Sequence, residues 1–142
     1  MKSYIAILSL SLAFISCKPS VNKADLQHLN GFWEIKEVET ADGNTIDYKI
    51  NLSVDNFEIN PDLTAGTRKK GMPQLSGEYL TNGVVENFKV SDSAGVIKLN
   101  YETPYAKWSE EVVEINATDF KVKNDNEVIY HYKKYETINT QK

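Results

Sequence analysis

The chain has 142 residues, enough for one domain with a sizeable core and no disulfides. Twenty acidic residues outnumber 16 basic ones, and Arg68 is the single arginine. Phosphate backbones call for a basic stripe, so this balance argues against a nucleic-acid partner.

Met1-Lys2 is a short basic start, followed over residues 4–15 by an apolar run in which serine is the one polar type. That is the length of a signal-peptide core and too short to span a bilayer. The run ends Leu12-Ala13-Phe14-Ile15-Ser16-Cys17, with a small residue directly before the chain's one cysteine. The segment resembles the lipobox of bacterial lipoproteins, with Phe14 where leucine is usual. The resemblance implies a diacylglycerol on the Cys17 thiol and cleavage after Ser16. An exported chain with one cysteine makes no internal disulfide, which leaves that cysteine for another purpose. An ordinary secretory signal with a chance cysteine, or an uncleaved anchor, are the competing readings. The implied partner is a membrane, held through the lipid. No acidic cluster follows Cys17 of the kind that marks surface export in some bacterial lipoproteins. The expected location is therefore the outer membrane, facing the periplasm. Residues 1–16 read as the signal, 17–23 as a tether and 24–142 as the folded domain.

Asn22 is a helix-capping residue type, and Asp25 follows three positions on, near the positive end of the helix. Val21 and Leu26 stand at staple positions, and Gly31 is a stop. This predicts a helix of two turns at most. From Gly31 the chain is written in period two. Trp33 and Ile35 share a face of the first strand. Ile46, Tyr48, Ile50, Leu52 and Val54 alternate with polar residues and predict one long strand. Phe57 and Ile59 continue it to a turn at Asn60-Pro61-Asp62. Asn82-Gly83 between residues 75–80 and 84–90 predicts a hairpin. Strands over 95–101, 107–115, 119–123 and 127–134 complete eight to ten. The fold class is all-β: a small antiparallel up-and-down barrel behind a short helix, with a two-sheet sandwich as the alternative.

A short helix, then Gly31-Phe32-Trp33 opening strand one, then hairpin-connected strands, is similar to the lipocalin-like lipoproteins of the Bacteroidetes type. The resemblance spans residues 26–135. It implies that Gly31 lets the helix turn into the barrel and that Trp33 closes the barrel's base. Members often lay an arginine of the last strand over the tryptophan. Here Lys133 or Lys134 is the nearest substitute.

Catalysis has little support. There is no Gly-x-Ser-x-Gly, no phosphate-cradling glycine loop, and no serine, histidine and acid at useful spacing. No cofactor or metal motif is present. Asn124-Asp125-Asn126-Glu127 lacks the glycine and closing glutamate of a calcium loop and reads as a turn. Strand phase sets Glu111 opposite Glu110 and Glu114, and His131 opposite Tyr130 and Tyr132.

Inward-phase aromatics are candidates to line an interior: Tyr48, Phe57, Tyr79, Phe88, Tyr101, Trp108, Tyr130 and Tyr132. Tyr48, Tyr79, Tyr101, Trp108 and Tyr130 are the candidates to hold a guest, because tyrosine pairs an apolar body with a hydrogen-bonding tip. The same residues could equally fill a core. Beside an enzyme, which has the least support, two functions stay open. One is a binder of a small hydrophobic or amphipathic molecule. The other is a non-enzymatic interaction protein that meets an envelope partner through a packed barrel. An open interior with polar tips favours the first, and a filled one the second.

Overall fold

The computed structural model describes residues 20–136. The segment read as a signal peptide and Cys17 lie outside them.

A seven-residue 3₁₀ helix (Lys23–Leu29) opens the fold. Asn22 caps it, accepting from the Ala24 amide, and the Asp25 carboxylate accepts from the Asn22 amide in return. Leu26 and Leu29 are buried, and Val21 packs against the same core. The packed domain therefore starts a little before residue 24.

Ten strands follow: β1 (Gly31–Glu39), β2 (Thr45–Asp47), β3 (Val54–Ile59), β4 (Ala65–Pro73), β5 (Tyr79–Thr81), β6 (Glu86–Ser93), β7 (Val96–Glu102), β8 (Lys107–Ile115), β9 (Asp119–Asn124) and β10 (Ile129–Lys134). Eight of them form a closed antiparallel ring in the order β1-β3-β4-β6-β7-β8-β9-β10, with β10 returning to β1. Closure removes the exposed edges that an open sheet would present. Two short strands lie off the ring, β2 on β1 and β5 on β4.

Two readings of the sequence need correction, and one strand went unread. The alternating stretch from Ile46 to Val54 is not one strand. Thr45–Asp47 pairs with β1 and Val54 opens β3, while Ile46, Tyr48, Ile50 and Leu52 are exposed, Ile50 by 84%. Alternation marks a strand only where a neighbour supplies the ladder, and the β1 ladder with this stretch covers only Glu37–Glu39 opposite Thr45–Asp47. The Asn82-Gly83 hairpin does not form either. β5 and β6 both pair with β4 and not with each other, so residues 82–85 are a connection. Finally, β4 itself carries no strand pattern in the sequence. Its Ala-Gly-Thr-Arg-Lys-Lys-Gly-Met-Pro is polar and glycine-bearing.

Two bulges change the phase of side chains. An extra residue at Lys36 in β1 keeps Trp33, Ile35 and Val38 on the inner side. An extra residue at Val113 in β8 places Glu111 and Glu114 both outside, paired with Lys123 and Lys121. Strict alternation had set those two glutamates apart. Glu110 alone of the three points inward and is buried.

The helix plugs one end of the barrel. The Trp33 indole Nε1 donates to the Leu29 carbonyl at 2.7 Å. Asn30, which ends the helix, accepts from the Ile59 amide at 2.8 Å. Above this base, Phe57, Phe88, Leu99, Phe120 and Val122 fill the interior with their own side chains. Edge-on and tilted ring contacts join Trp33, Phe57, Phe120 and Tyr132. The opposite end is the mouth, where the connections 40–44, 48–53, 74–78, 82–85, 103–106 and 125–128 gather.

Candidate functional site at the barrel mouth

The site follows from strand register. Inward positions on neighbouring strands stand side by side, so one inward residue brings a whole layer with it. Phe57 pairs with Arg68, Arg68 with Glu86, Phe88 with Tyr101, Tyr101 with Trp108, and Leu99 with Glu110. Two residues toward the mouth on β3, at the next inward position, Asp55 pairs with Lys70. On the far wall Tyr132 faces Ile35 and Tyr130 faces Val38. The upper interior is thus charged and aromatic, where the lower interior is apolar.

Arg68 is the centre of this layer. Its side chain is 12% exposed. Nε donates to the Glu86 carboxylate, and Nη1 lies 3.4 Å from Glu110 Oε2. Its guanidinium carbon sits 4.5 Å from the centre of the Tyr101 ring, and Tyr101 stacks on Trp108 at 5.0 Å with planes 9° apart. A planar cation over an aromatic face is a favourable pairing, more so where water is thin. Burial alone would lower the Arg68 pKa. Tyr101, Glu110 and Glu86 more than reverse this, and the guanidinium stays charged.

The acids are less comfortable. Burial raises the Glu110 pKa, against the pull of Arg68 and of the Tyr101 and Trp108 side chains near it. Burial likewise raises the Asp55 pKa, against Lys70, Arg68 and the Tyr132 side chain near it. Asp55 Oδ1 and the Tyr101 hydroxyl are buried without a hydrogen-bond partner among the described residues. A buried polar atom left so costs free energy comparable to a lost hydrogen bond.

This cluster borders two concavities. One, of about 380 Å³, lies inside the mouth among Asp55, Arg68, Glu110, Tyr130, Tyr132 and the Asn124–Asn126 turn. The other, of about 570 Å³, is bounded by Phe88, Tyr101, Trp108 and neighbouring residues of β4, β6 and β7. Trp108, Ser109 and Asp125 border both.

Of the five aromatics named from sequence, Tyr101, Trp108 and Tyr130 come together here. Tyr48 and Tyr79 do not. Tyr48 is exposed in the connection after β2. Tyr79 packs on the outside of the wall, edge-on to Phe32 at 5.0 Å, and its hydroxyl donates to the Val54 carbonyl at 2.7 Å. Burial, helped by the Asp55 charge, pushes its pKa up to about 12. Both assignments relied on an alternation that ends at Asp47 and on a β5–β6 hairpin that is absent. His131 stands on the outer wall 3.4 Å from Glu37 and takes no part.

Sequence reasoning passed over Arg68, Asp55, Glu86 and Glu110 as site residues. One signal was available. A lone arginine between glycines in a polar stretch is an odd choice for a surface already rich in lysine.

At the base, Gly31 has φ +112°, a backbone conformation that L side chains rarely adopt. A Cβ there would also meet Lys134 Nζ at 3.1 Å. That lysine lies over the Trp33 ring at 4.3 Å and donates to the carbonyls of His28 and Asn30. Burial lowers its pKa. Gly31, Trp33 and Lys134 together shut the closed end.

No family model matches this chain, and no curated protein matches it. Among solved structures, a lipocalin-like protein from Bacteroides uniformis aligns with 76% of this chain and 99% of its own length. The identity is 12% and the TM-score 0.48. An uncharacterised protein from Bacteroides eggerthii aligns with 75% of this chain and 99% of its own, at 11% identity and a TM-score of 0.47.

Proposed function

We propose that this chain is a lipid-anchored protein of the cell envelope whose barrel binds one small amphipathic molecule at its open mouth. The observation that carries the reading is the division of the interior. The base is filled by the chain's own apolar side chains, while the mouth holds a concavity of about 380 Å³ with aromatic walls and one buried carboxylate oxygen, Asp55 Oδ1, that has no hydrogen-bond partner among the described residues. An eight-stranded barrel has room for one small guest and little more. A long fatty acid or a retinoid would need the space that Phe57, Phe88 and Phe120 take up, so the guest is compact. The anchor half of the proposal rests on the segment ending at Cys17, and its place is the outer membrane, facing the periplasm. Binding, not catalysis, is the role we assign to the mouth.

The test is a thermal-shift screen of compact amphipathic molecules, with fatty acids, retinoids, haem-like compounds and quinones as the bulky arm. A guest at a hundredfold excess over its dissociation constant stabilises the fold by about 2.7 kcal/mol. The compact arm is expected to raise the melting temperature and the bulky arm to leave it unchanged. No response from either arm would overturn the reading.

A second reading has its own observation. Ile50, Leu52 and Leu75 stand exposed on connections beside the mouth, Leu75 by 96%, and Leu80 stands exposed on β5. Exposed apolar groups of this kind favour contact with another protein. An envelope protein seated on this rim would leave the barrel a packed support, and loss of that contact in a Leu52→Asp, Leu75→Asp variant would identify it.

A further inference from the structure

The mouth is acidic once its ion pairs are assigned, and its deepest acid is Asp55. Asp55 projects inward from β3 with a side chain only 4% exposed, and it borders the inner concavity. Its Oδ1 has no hydrogen-bond partner among the described residues, although the Tyr132 hydroxyl lies near the carboxylate. Lys70 Nζ comes to 3.7 Å, too far for a hydrogen bond, on a side chain that stands 60% in solvent. Arg68 is turned to Glu86 and Glu110. Glu110 and Asp125 add two further negative groups to the same concavity, against the two cations.

These facts discriminate between guests. An anionic guest would have to share Arg68 with two carboxylates and lie against Asp55 and Glu110. A neutral guest with a hydroxyl could offer Asp55 one donor and no charge. A protonated amine offers up to three donors and a positive charge, and supplies what the buried Oδ1 lacks. Trp108, Tyr130 and Tyr132 present aromatic surface beside the same space, which also favours a cation and an apolar body. We propose that the guest is a small organic amine, its ammonium group donating to Asp55 and its apolar body lying along Trp108 and Tyr130. This rests on the mouth being the binding site.

Titration calorimetry of the full chain at neutral pH tests it with three probes on one scaffold: 2-phenylethylamine, 2-phenylethanol and 3-phenylpropionate. The amine is expected to bind most tightly. Asp55→Asn should weaken it by about tenfold or more, the fold-change of a lost charge-assisted hydrogen bond, and leave the alcohol unchanged. Lys70→Met removes a like charge next to the ammonium and should tighten the amine. Because Lys70 is mostly exposed, this variant reports the sign of the site even if Asp55→Asn does not fold. Tighter binding of the propionate, or weaker amine binding in Lys70→Met, overturns the amine and leaves the mouth as a site for an anion at Arg68. Binding of none of the three also overturns the amine. The wider proposal then stands or falls on the screen of compact molecules described above.

Discussion

Arg68 holds three aromatic rings and two acids in one arrangement, and its removal separates what it contributes from what it prevents. Arg68→Met would leave Glu110 buried with no cation beside it. Breaking a buried pair from one side typically costs about 3–5 kcal/mol, mostly because the remaining charge is stranded. Adding Glu110→Gln removes that charge, so the double variant should recover a large part of the loss. Urea midpoints of the two single variants and the double one measure the coupling. Additive losses would mean that the pair is screened by water. Asp55 gives a second prediction, in pH. Its pKa is raised in the folded state by burial, so the folded chain keeps a proton that the unfolded chain has released. Linkage makes this contribution greatest below the unfolded value near 3.8 and diminishes it as pH rises toward the folded value. Glu110 acts in the same direction. Asp55→Asn should therefore be more stable than the parent at neutral pH and lose less stability between pH 4 and 7. Denaturant titrations across that range decide it. A parent whose stability climbs steeply over the same interval would show that Asp55 is well satisfied in solution.

At the scale of elements, the short strand β5 shows how a small residue sets a place in the fold. Gly71 on β4 lies directly beneath Tyr79, and a Cβ there would come within 2.5 Å of the tyrosine ring and 2.7 Å of the Leu80 carbonyl. Gly71→Ala should displace β5 and cost about 1–3 kcal/mol, as overpacking of a tight contact does. Faster amide exchange at Leu80 and Thr81, with the β7–β8 hairpin unaffected, is the expected readout. The same elements explain which parts of the fold were legible in the sequence. Residues 107–115 and 119–123 carry alternating apolar groups and have long partners, so pattern and pairing agree. The capped helix was legible because Asn22, Asp25, Val21 and Leu26 all act within a few residues of one another. β4 was not, because its inner face is built from Gly66, Arg68 and Lys70 instead of apolar residues. The stretch from Ile46 to Leu52 misled for the opposite reason. It has the pattern of a buried strand but no second ladder to hold it, and its apolar groups face solvent. Half of the site was legible for the same cause. Tyr101, Trp108 and Tyr130 sit on well-patterned strands. Arg68 and Asp55 become neighbours only when β3 and β4 pair, and nothing local to either residue announces it.

For the whole molecule, the two ends of the barrel have different tasks, and the path of the chain relates them to the proposed anchor. The helix plugs the base, and the chain enters there through Val21 and Asn22. The mouth with Arg68 and Asp55 is at the far end of the same barrel. A lipid on Cys17, a few residues before the helix, would tether the base side to the membrane and turn the mouth to the aqueous space. A guest would then be exchanged with the periplasm and not taken from the bilayer beneath, in keeping with a polar mouth and a compact guest. Cys17→Ala tests the tether. The variant should leave the membrane fraction or accumulate with its leader attached, while the parent partitions into detergent with the mass of its acyl chains. Two or more chains hold a protein firmly where one holds it only reversibly, so the difference in partitioning should be nearly complete. The folded domain should be indifferent to the change. No described contact reaches back beyond Val21, so the released variant should show the parent's melting temperature and bind the same guest. A parent protein without acyl mass that partitions into water would sink the anchor. The mouth would keep its chemistry, and binding in Cys17→Ala is the measurement that separates the two.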